Sequence, residues 1–264
     1  MNSRLSTTLP LLLGAGVLIL ASILIYQVAV ARPAQFRAQA TATARDATAT
    51  SVAQATATAA QATSIAVATQ IALGDLYNQA TSGTPTITDP LQAQDSNNWN
   101  GVNPNATSNC EFTGGIYHAK AAAGYFEPCL AGATNFSNLA FQVEMRIVRG
   151  HSGGLVIRSD ANGSGYYFRI STDGTFLVRS VLLKQKTYYT PLFAGQSPAV
   201  NTGNGQSNQI TVIAQGSELY MYVNQQFVAK TSDGTYTSGR IGVFTDSDAS
   251  GAEILFRNAQ VWKL

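Results

Sequence analysis

The run GYYFRISTDGTFLV, residues 165–178, decides how the C-terminal part of this chain is read. Two segments rich in Tyr, Phe, Ile and Val flank Thr172-Asp173-Gly174, which suits a three-residue hairpin loop with Gly174 in the left-handed conformation. That register pairs Ile170 with Phe176 and Phe168 with Val178, and it turns Tyr167, Arg169, Leu177 and Arg179 to the other face. A two-residue Asp-Gly turn would mix apolar and polar side chains on each face, so it is rejected. The hairpin therefore has one core face and one polar, aromatic face.

Working outward, the same period of two recurs. Phe141, Val143, Met145 and Ile147 alternate with Gln142, Glu144 and Arg146, and Ile157 alternates with Arg158. Candidate strands cover residues 140–148, 154–159, 166–171, 175–183, 209–214, 219–223, 226–231, 240–245 and 253–264, separated by Gly, Asn, Asp and Ser. No amphipathic helical stretch competes after about residue 85. The expectation is an all-β, antiparallel sandwich or barrel over residues 85–264.

Several of these segments together resemble a known group. GGLVIR (153–158), GYYFRISTDGTFLV, SELYMYVNQQFVAK (217–230), SGRIGVFT (238–245) and FRNAQVWKL (256–264) are similar to the concanavalin A-like lectin/glucanase superfamily, with its laminin-G-like and 3-keto-disaccharide-hydrolase-like jelly rolls. The resemblance covers roughly residues 86–264 and implies a concanavalin A-like jelly-roll sandwich. CEFTGGIYHAK and FEPC behind an Ala-Thr stalk also resemble the extracellular part of bacterial single-pass membrane proteins. One departure stands out: the late hairpin has Asn224-Gln225 where the resemblance implies Asn-Gly.

The first third of the chain reads differently. Residues 9–31, LPLLLGAGVLILASILIYQVAVA, contain no Asp, Glu, Lys or Arg and are long enough to span hydrocarbon as a helix. A membrane anchor is expected there, after a short cytoplasmic tail over residues 1–8. The competing reading is a cleavable signal peptide, with Arg4 as its positive region and Ala29-Val30-Ala31 as its processing site. Against cleavage, the apolar stretch is longer than the usual core of a signal peptide, and Arg32-Pro33 would follow the cut directly. Residues 32–84 form the stalk, and within residues 38–73 there are fifteen Ala and eight Thr. Alanine favours helix and no proline falls between Pro33 and Pro85, so a helical stalk of roughly 70 Å is expected. A disordered or glycosylated Thr-rich linker is the alternative. Ile65, Val67, Ile71, Leu73, Leu76 and Tyr77 could support self-association of the stalk.

Lys and Arg number 16 against 14 Asp and Glu, but four of the basic and two of the acidic residues precede residue 84. The C-terminal domain is therefore formally neutral, which argues against nucleic acid as a partner. Its two cysteines, Cys110 and Cys129, close one short loop if oxidised, and a disulfide fits an exported domain. Arg32, Arg37 and Arg45 follow the span and oppose that topology under the positive-inside rule. The cysteine pair and the short N-terminal tail nevertheless favour a cytoplasmic N-terminus and an extracellular C-terminal domain.

For chemistry, the glucanase branch of the resembled superfamily implies a Glu-x-Asp-x-x-Glu strand motif, yet the five glutamates, at 111, 127, 144, 218 and 253, include no pair five apart. No catalytic residue is assigned, and the domain is expected not to be an enzyme. His118 and His151 lack metal-ligand spacing. Asp246, Asp248 and Ser250 with Gly251 fit the start of a calcium loop, although position twelve is Arg257 in place of Glu; no other cofactor is expected. Arg158, Tyr167, Arg169 and Arg179 are the leading ligand-binding candidates, because aromatic rings stack on sugar C–H faces and arginine forks bind hydroxyls or carboxylates. Tyr220, Tyr222 and Trp99 are further candidates, while Trp262 reads as core. The leading expectation is a non-catalytic module for carbohydrate or cell-envelope glycan. A protein-interaction domain without sugar binding and an anchored glycoside hydrolase with an unrecognised site are the alternatives.

Protease added to intact cells is expected to release the domain of residues 85–264. A domain that stays protected until the cells are lysed would reverse the topology.

Overall fold

The computed structural model describes residues 9–101, 108–183 and 188–264; the tail expected over residues 1–8 lies outside the described residues. Helix α1 (Leu9–Tyr26) and helix α2 (Arg32–Ala80) are joined by a π-helical turn, Gln27–Ala31. The helix is long and apolar enough to cross a membrane, and its large side chains from Val17 to Val30 stand exposed.

The stalk is helical. Thr41, Thr43, Thr48, Thr50, Thr56, Thr58 and Thr63 each donate a hydroxyl hydrogen bond to the carbonyl four residues earlier, at 2.8–2.9 Å. A β-branched hydroxyl residue is thereby satisfied within the helix, which removes its usual reason to leave it. The surrounding alanines supply the propensity.

Residues 69–264 form a separate compact unit built around a two-layer sandwich. The strands are β1 (Ile87–Asp89), β2 (Asn109–Thr113), β3 (Ile116–Ala121), β4 (Phe126–Leu130), β5 (Leu139–Arg149), β6 (Ser152–Ser159) and β7 (Gly165–Ser171). They continue with β8 (Thr175–Leu182), β9 (Tyr188–Gln196), β10 (Ser207–Gln215), β11 (Glu218–Val223), β12 (Gln226–Ser232), β13 (Arg240–Asp246) and β14 (Ala252–Lys263). One sheet runs β12-β11-β10-β5-β14-β3-β2, with β1 also paired to β14, and the other runs β4-β13-β6-β7-β8-β9. Every pairing is antiparallel, as expected for a jelly-roll sandwich.

The opening hairpin has the register read from sequence: Ile170 opposes Phe176, Phe168 opposes Val178, and Gly174 has φ 86°. Phe141, Val143 and Met145 of one sheet meet Leu155, Phe168 and Val178 of the other in a single core. Each such side chain contributes about 1.5–3 kcal/mol of burial. Gly154 allows β6 and β7 to approach, since a Cβ there would lie 1.9 Å from the Phe168 carbonyl oxygen.

Five strands carried too little pattern to be read from sequence: β1, β2, β3, β4 and β9. Two of them, β4 and β9, contain Pro128 and Pro191 and lie at opposite edges of their sheet, where a missing N–H breaks no ladder.

The last turns of α2 rest on the outer face of the eight-stranded sheet, where Tyr77 and Ala80 are buried with Ala140, Ile213, Tyr222 and Trp262. The Tyr77 hydroxyl donates to Gln142 Oε1 at 2.7 Å, and the Tyr222 hydroxyl donates to the Leu73 carbonyl at 2.8 Å. Leu76 and Tyr77, grouped above with the residues for stalk pairing, are thus used in docking to the sandwich. Trp262 is buried as expected, but beneath the stalk end and not between the sheets.

Cys110 and Cys129 form a disulfide that joins β2, an edge of one sheet, to β4, an edge of the other. With the two cysteines separated by 19 positions in the sequence, the bond removes loop entropy from the unfolded chain. Replacing both cysteines by alanine is expected to lower unfolding stability by about 3 kcal/mol in denaturant titration.

Candidate functional site

The period of two that fills the core places a second set of side chains on the outer face of the six-stranded sheet. Tyr167 and Arg169 project there from β7, Arg179 from β8, Phe244 and Asp246 from β13, and Phe126 from β4. Tyr189 of β9 closes the group on one side.

Arg179 is the centre of this arrangement. Its side chain is only 9% exposed, and Nη2 donates to Asp246 Oδ2 at 3.1 Å. The guanidinium carbon lies 4.6 Å from the ring centre of Tyr189 and 5.1 Å from that of Phe126, with Phe244 and Tyr167 at 5.8 and 6.0 Å. Such cation–π contacts orient a charge without using its N–H donors. Arg169 Nη1 approaches the same Asp246 oxygen at 3.5 Å. The Nε atoms of both arginines are buried without a hydrogen-bond partner among the described residues. Burial lowers the pKa of Arg179, with Asp246 acting in the opposite direction. Two guanidinium groups thus share one carboxylate, leaving a cationic surplus and unused donors on an aromatic floor.

Of the residues singled out from sequence, Tyr167, Arg169 and Arg179 come together on this face. Tyr167 is fully buried, and its hydroxyl donates to the Gly163 carbonyl at 2.6 Å, so it forms floor under the arginines.

Arg158 does not join them. Its backbone has φ 51° at a bulge of β6 against β13, and its side chain, 1% exposed, turns to the end of the sandwich. There it donates to the carbonyls of Ser137, Gly216 and Tyr236 at 2.7, 2.7 and 3.2 Å. Simple alternation from Ile157 misplaced it because the left-handed residue breaks the period.

Tyr220 and Tyr222 lie on the outer face of the opposite sheet, with Tyr222 sealed under the stalk end. Trp99 is 1% exposed and donates from Nε1 to Asp89 Oδ2 at 2.8 Å, which makes it a buried anchor of the β1 region.

Asp246, read above as a calcium candidate, is instead the arginines' partner. Asp248 Oδ1 accepts hydrogen bonds from the amide and hydroxyl of Ser250 at 2.9 and 2.7 Å, an Asx turn. A cation at Asp246 would meet two guanidinium groups, and no cluster of three or more His, Cys, Asp or Glu suited to a metal occurs among the described residues. Phe126 and Tyr189 were not singled out from sequence. Both lie on the edge strands that contain proline, whose signal was too weak to place them opposite Arg179.

The sandwich with this arginine face has relatives. The 3-keto-alpha-glucoside-1,2-lyase-like domain matches residues 86–262, more than half of the chain. The chain belongs to that family. Its fold is similar to that of the carbohydrate binding module CBM66 from Bacillus subtilis, at 15% identity and a TM-score of 0.51, over 62% of this chain and 95% of that one. A Bacillus subtilis protein of unknown function with a galectin-like fold is similar at 11% identity and a TM-score of 0.51, over 69% and 97% of the two chains. These likenesses show the fold alone. No curated protein matches the chain in sequence.

In this 3-keto-alpha-glucoside-1,2-lyase-like domain, the carboxyl group most perturbed by burial is not on the arginine face. Glu127 of β4 projects to the inner side, with Oε1 3.9 Å from Cys110 Sγ, and burial pushes its pKa up to about 7. The folded state therefore holds a proton that the unfolded chain loses near the ordinary glutamate value. Stability from this group is complete below about pH 4.5 and declines as pH rises through about 7. Denaturant titrations across pH 4–8 should show that decline, and Glu127→Gln should flatten it.

Proposed function

We propose that the domain is a non-catalytic carbohydrate-binding module, held on the outer side of a membrane by α1 and set apart from it by the α2 stalk. The observation that carries this reading is the buried Arg179 guanidinium, stacked among aromatic rings, with Arg169 beside it and donors of both left unpaired. Both Nε atoms are closed to solvent, so a ligand oxygen would be met by the terminal nitrogens of Arg169, whose side chain is 27% exposed. Two arginines against one carboxylate favour a sugar that carries a carboxylate, bound by charge-assisted hydrogen bonds. Tyr189, 47% exposed, offers a flat surface for the sugar ring.

The binding reading is favoured over hydrolysis by the carboxylates. Glycoside hydrolysis uses two carboxyl groups facing one bond. The arginine face presents Asp246, already shared by two arginines, and Glu127 projects to the opposite side of β4. The Cys110–Cys129 disulfide supports an oxidising compartment, and so an extracellular domain, despite the arginines that follow the span.

The full chain in lipid nanodiscs, applied to a glycan array, is expected to bind glycans containing uronic or sialic acid. Arg179→Lys keeps a charge for Asp246 but loses the planar stacked fork, and should weaken that binding about tenfold, equivalent to about 1.4 kcal/mol. Absence of any glycan signal, together with a protein captured by cross-linking, would instead favour an interaction domain.

A further inference from the structure

A groove of about 810 Å³ opens on the other sheet, between β1, β5, β10, the β11–β12 turn and β14. Half of its twelve lining residues are carboxamides, and none is Lys, Arg or aromatic. A carboxamide offers both donors and an acceptor without charge, which matches sugar hydroxyls that also donate and accept. Asp89 and Glu144 are the ionisable residues of the lining, so the groove disfavours anions.

Its rear wall is built in advance. Gln142 Oε1 accepts hydrogen bonds from the Tyr77 hydroxyl at 2.7 Å and the Thr211 hydroxyl at 3.1 Å, while its Nε2 donates to Gln260 Oε1 at 3.3 Å. On the opposite rim, Asn258 Nδ2 donates to Glu144 Oε2 at 3.1 Å. Side chains held by packed elements in this way bind with little loss of freedom.

The rim also carries unusual backbone. Of the six non-glycine residues with left-handed φ among the described residues, three border this groove: Asn224 at 50°, Gln225 at 65° and Asn258 at 55°. Asparagine tolerates that conformation, and Asn224 is further held because its Oδ1 accepts the Gln209 amide at 2.9 Å. Gln225 has neither excuse. It occupies the second turn position, where glycine is favoured, its side chain is exposed, and it makes no hydrogen bond among the described residues. The two-residue turn between β11 and β12 requires left-handed φ at both of its residues, and glutamine meets that requirement at a steric cost that glycine would not incur, while placing an exposed carboxamide at the rim.

We propose that this groove is a second carbohydrate site, independent of the arginine face, and that it takes an uncharged oligosaccharide, with Gln225 and Gln260 as two of its contacts. The full chain in phosphatidylcholine nanodiscs would be tested on an array of neutral oligosaccharides of glucose, galactose, mannose, xylose and N-acetylglucosamine. The expected result is binding to at least one of these, unchanged in Arg179→Lys and five- to tenfold weaker in both Gln225→Gly and Gln260→Ala. Gln225→Gly relieves the turn, so its thermal midpoint should equal or exceed that of the parent, which separates lost contact from lost fold. The proposal is overturned if no neutral oligosaccharide binds, if either glutamine variant retains parental affinity, or if Arg179→Lys abolishes the neutral binding.

Discussion

The register of the β7–β8 hairpin is the constraint from which both surfaces of the six-stranded sheet follow. With Gly174 in the left-handed conformation, Phe168, Ile170, Phe176 and Val178 enter the core, and Arg169 and Arg179 must face outward. A slip by one residue would drive two guanidinium groups into an apolar interior and expose four large side chains. The apolar inner face and the cationic outer face are thus two results of one pairing, and the core's stability enforces the geometry of the arginine site.

Around that hairpin, the two sheets are held by different means at different places. The shared core joins them through the middle, the Cys110–Cys129 bond joins them at one edge, and Arg158 ties three separate backbone segments at the end. Arg158 and Arg179 illustrate how one residue type serves two purposes. The hydrogen bonds of Arg158 end on carbonyls of its own chain, which fixes loops, whereas Arg179 is held by rings and one carboxylate, which leaves N–H groups to spare.

The outer face of the eight-stranded sheet is divided between two uses. One part is sealed by the end of the stalk through Tyr77, Tyr222 and Trp262, and the adjoining part is the carboxamide groove. Tyr77 belongs to both, since its ring packs against Tyr222 and its hydroxyl orients Gln142. The stalk's last turn is therefore a structural component of the domain as well as its point of attachment.

Periodicity alone was enough for the fold class, the central strands, the β7–β8 register and the grouping of Tyr167, Arg169 and Arg179, because a pleated strand sends alternate side chains to opposite faces. The length and composition of the N-terminal third likewise determined an apolar span and a helical stalk. What the tertiary structure decided were the relations that no local pattern encodes. Asp246 as the arginines' partner depends on β13 lying two strands from β7, and Phe126 and Tyr189 reach Arg179 from edge strands whose prolines obscured them. Arg158 was misplaced because a single left-handed residue breaks the alternation, and Tyr222 and Trp262 were assigned their roles by a helix that arrives from more than a hundred residues away. Local sequence determines which way a side chain points; only the assembled sheets determine what it meets.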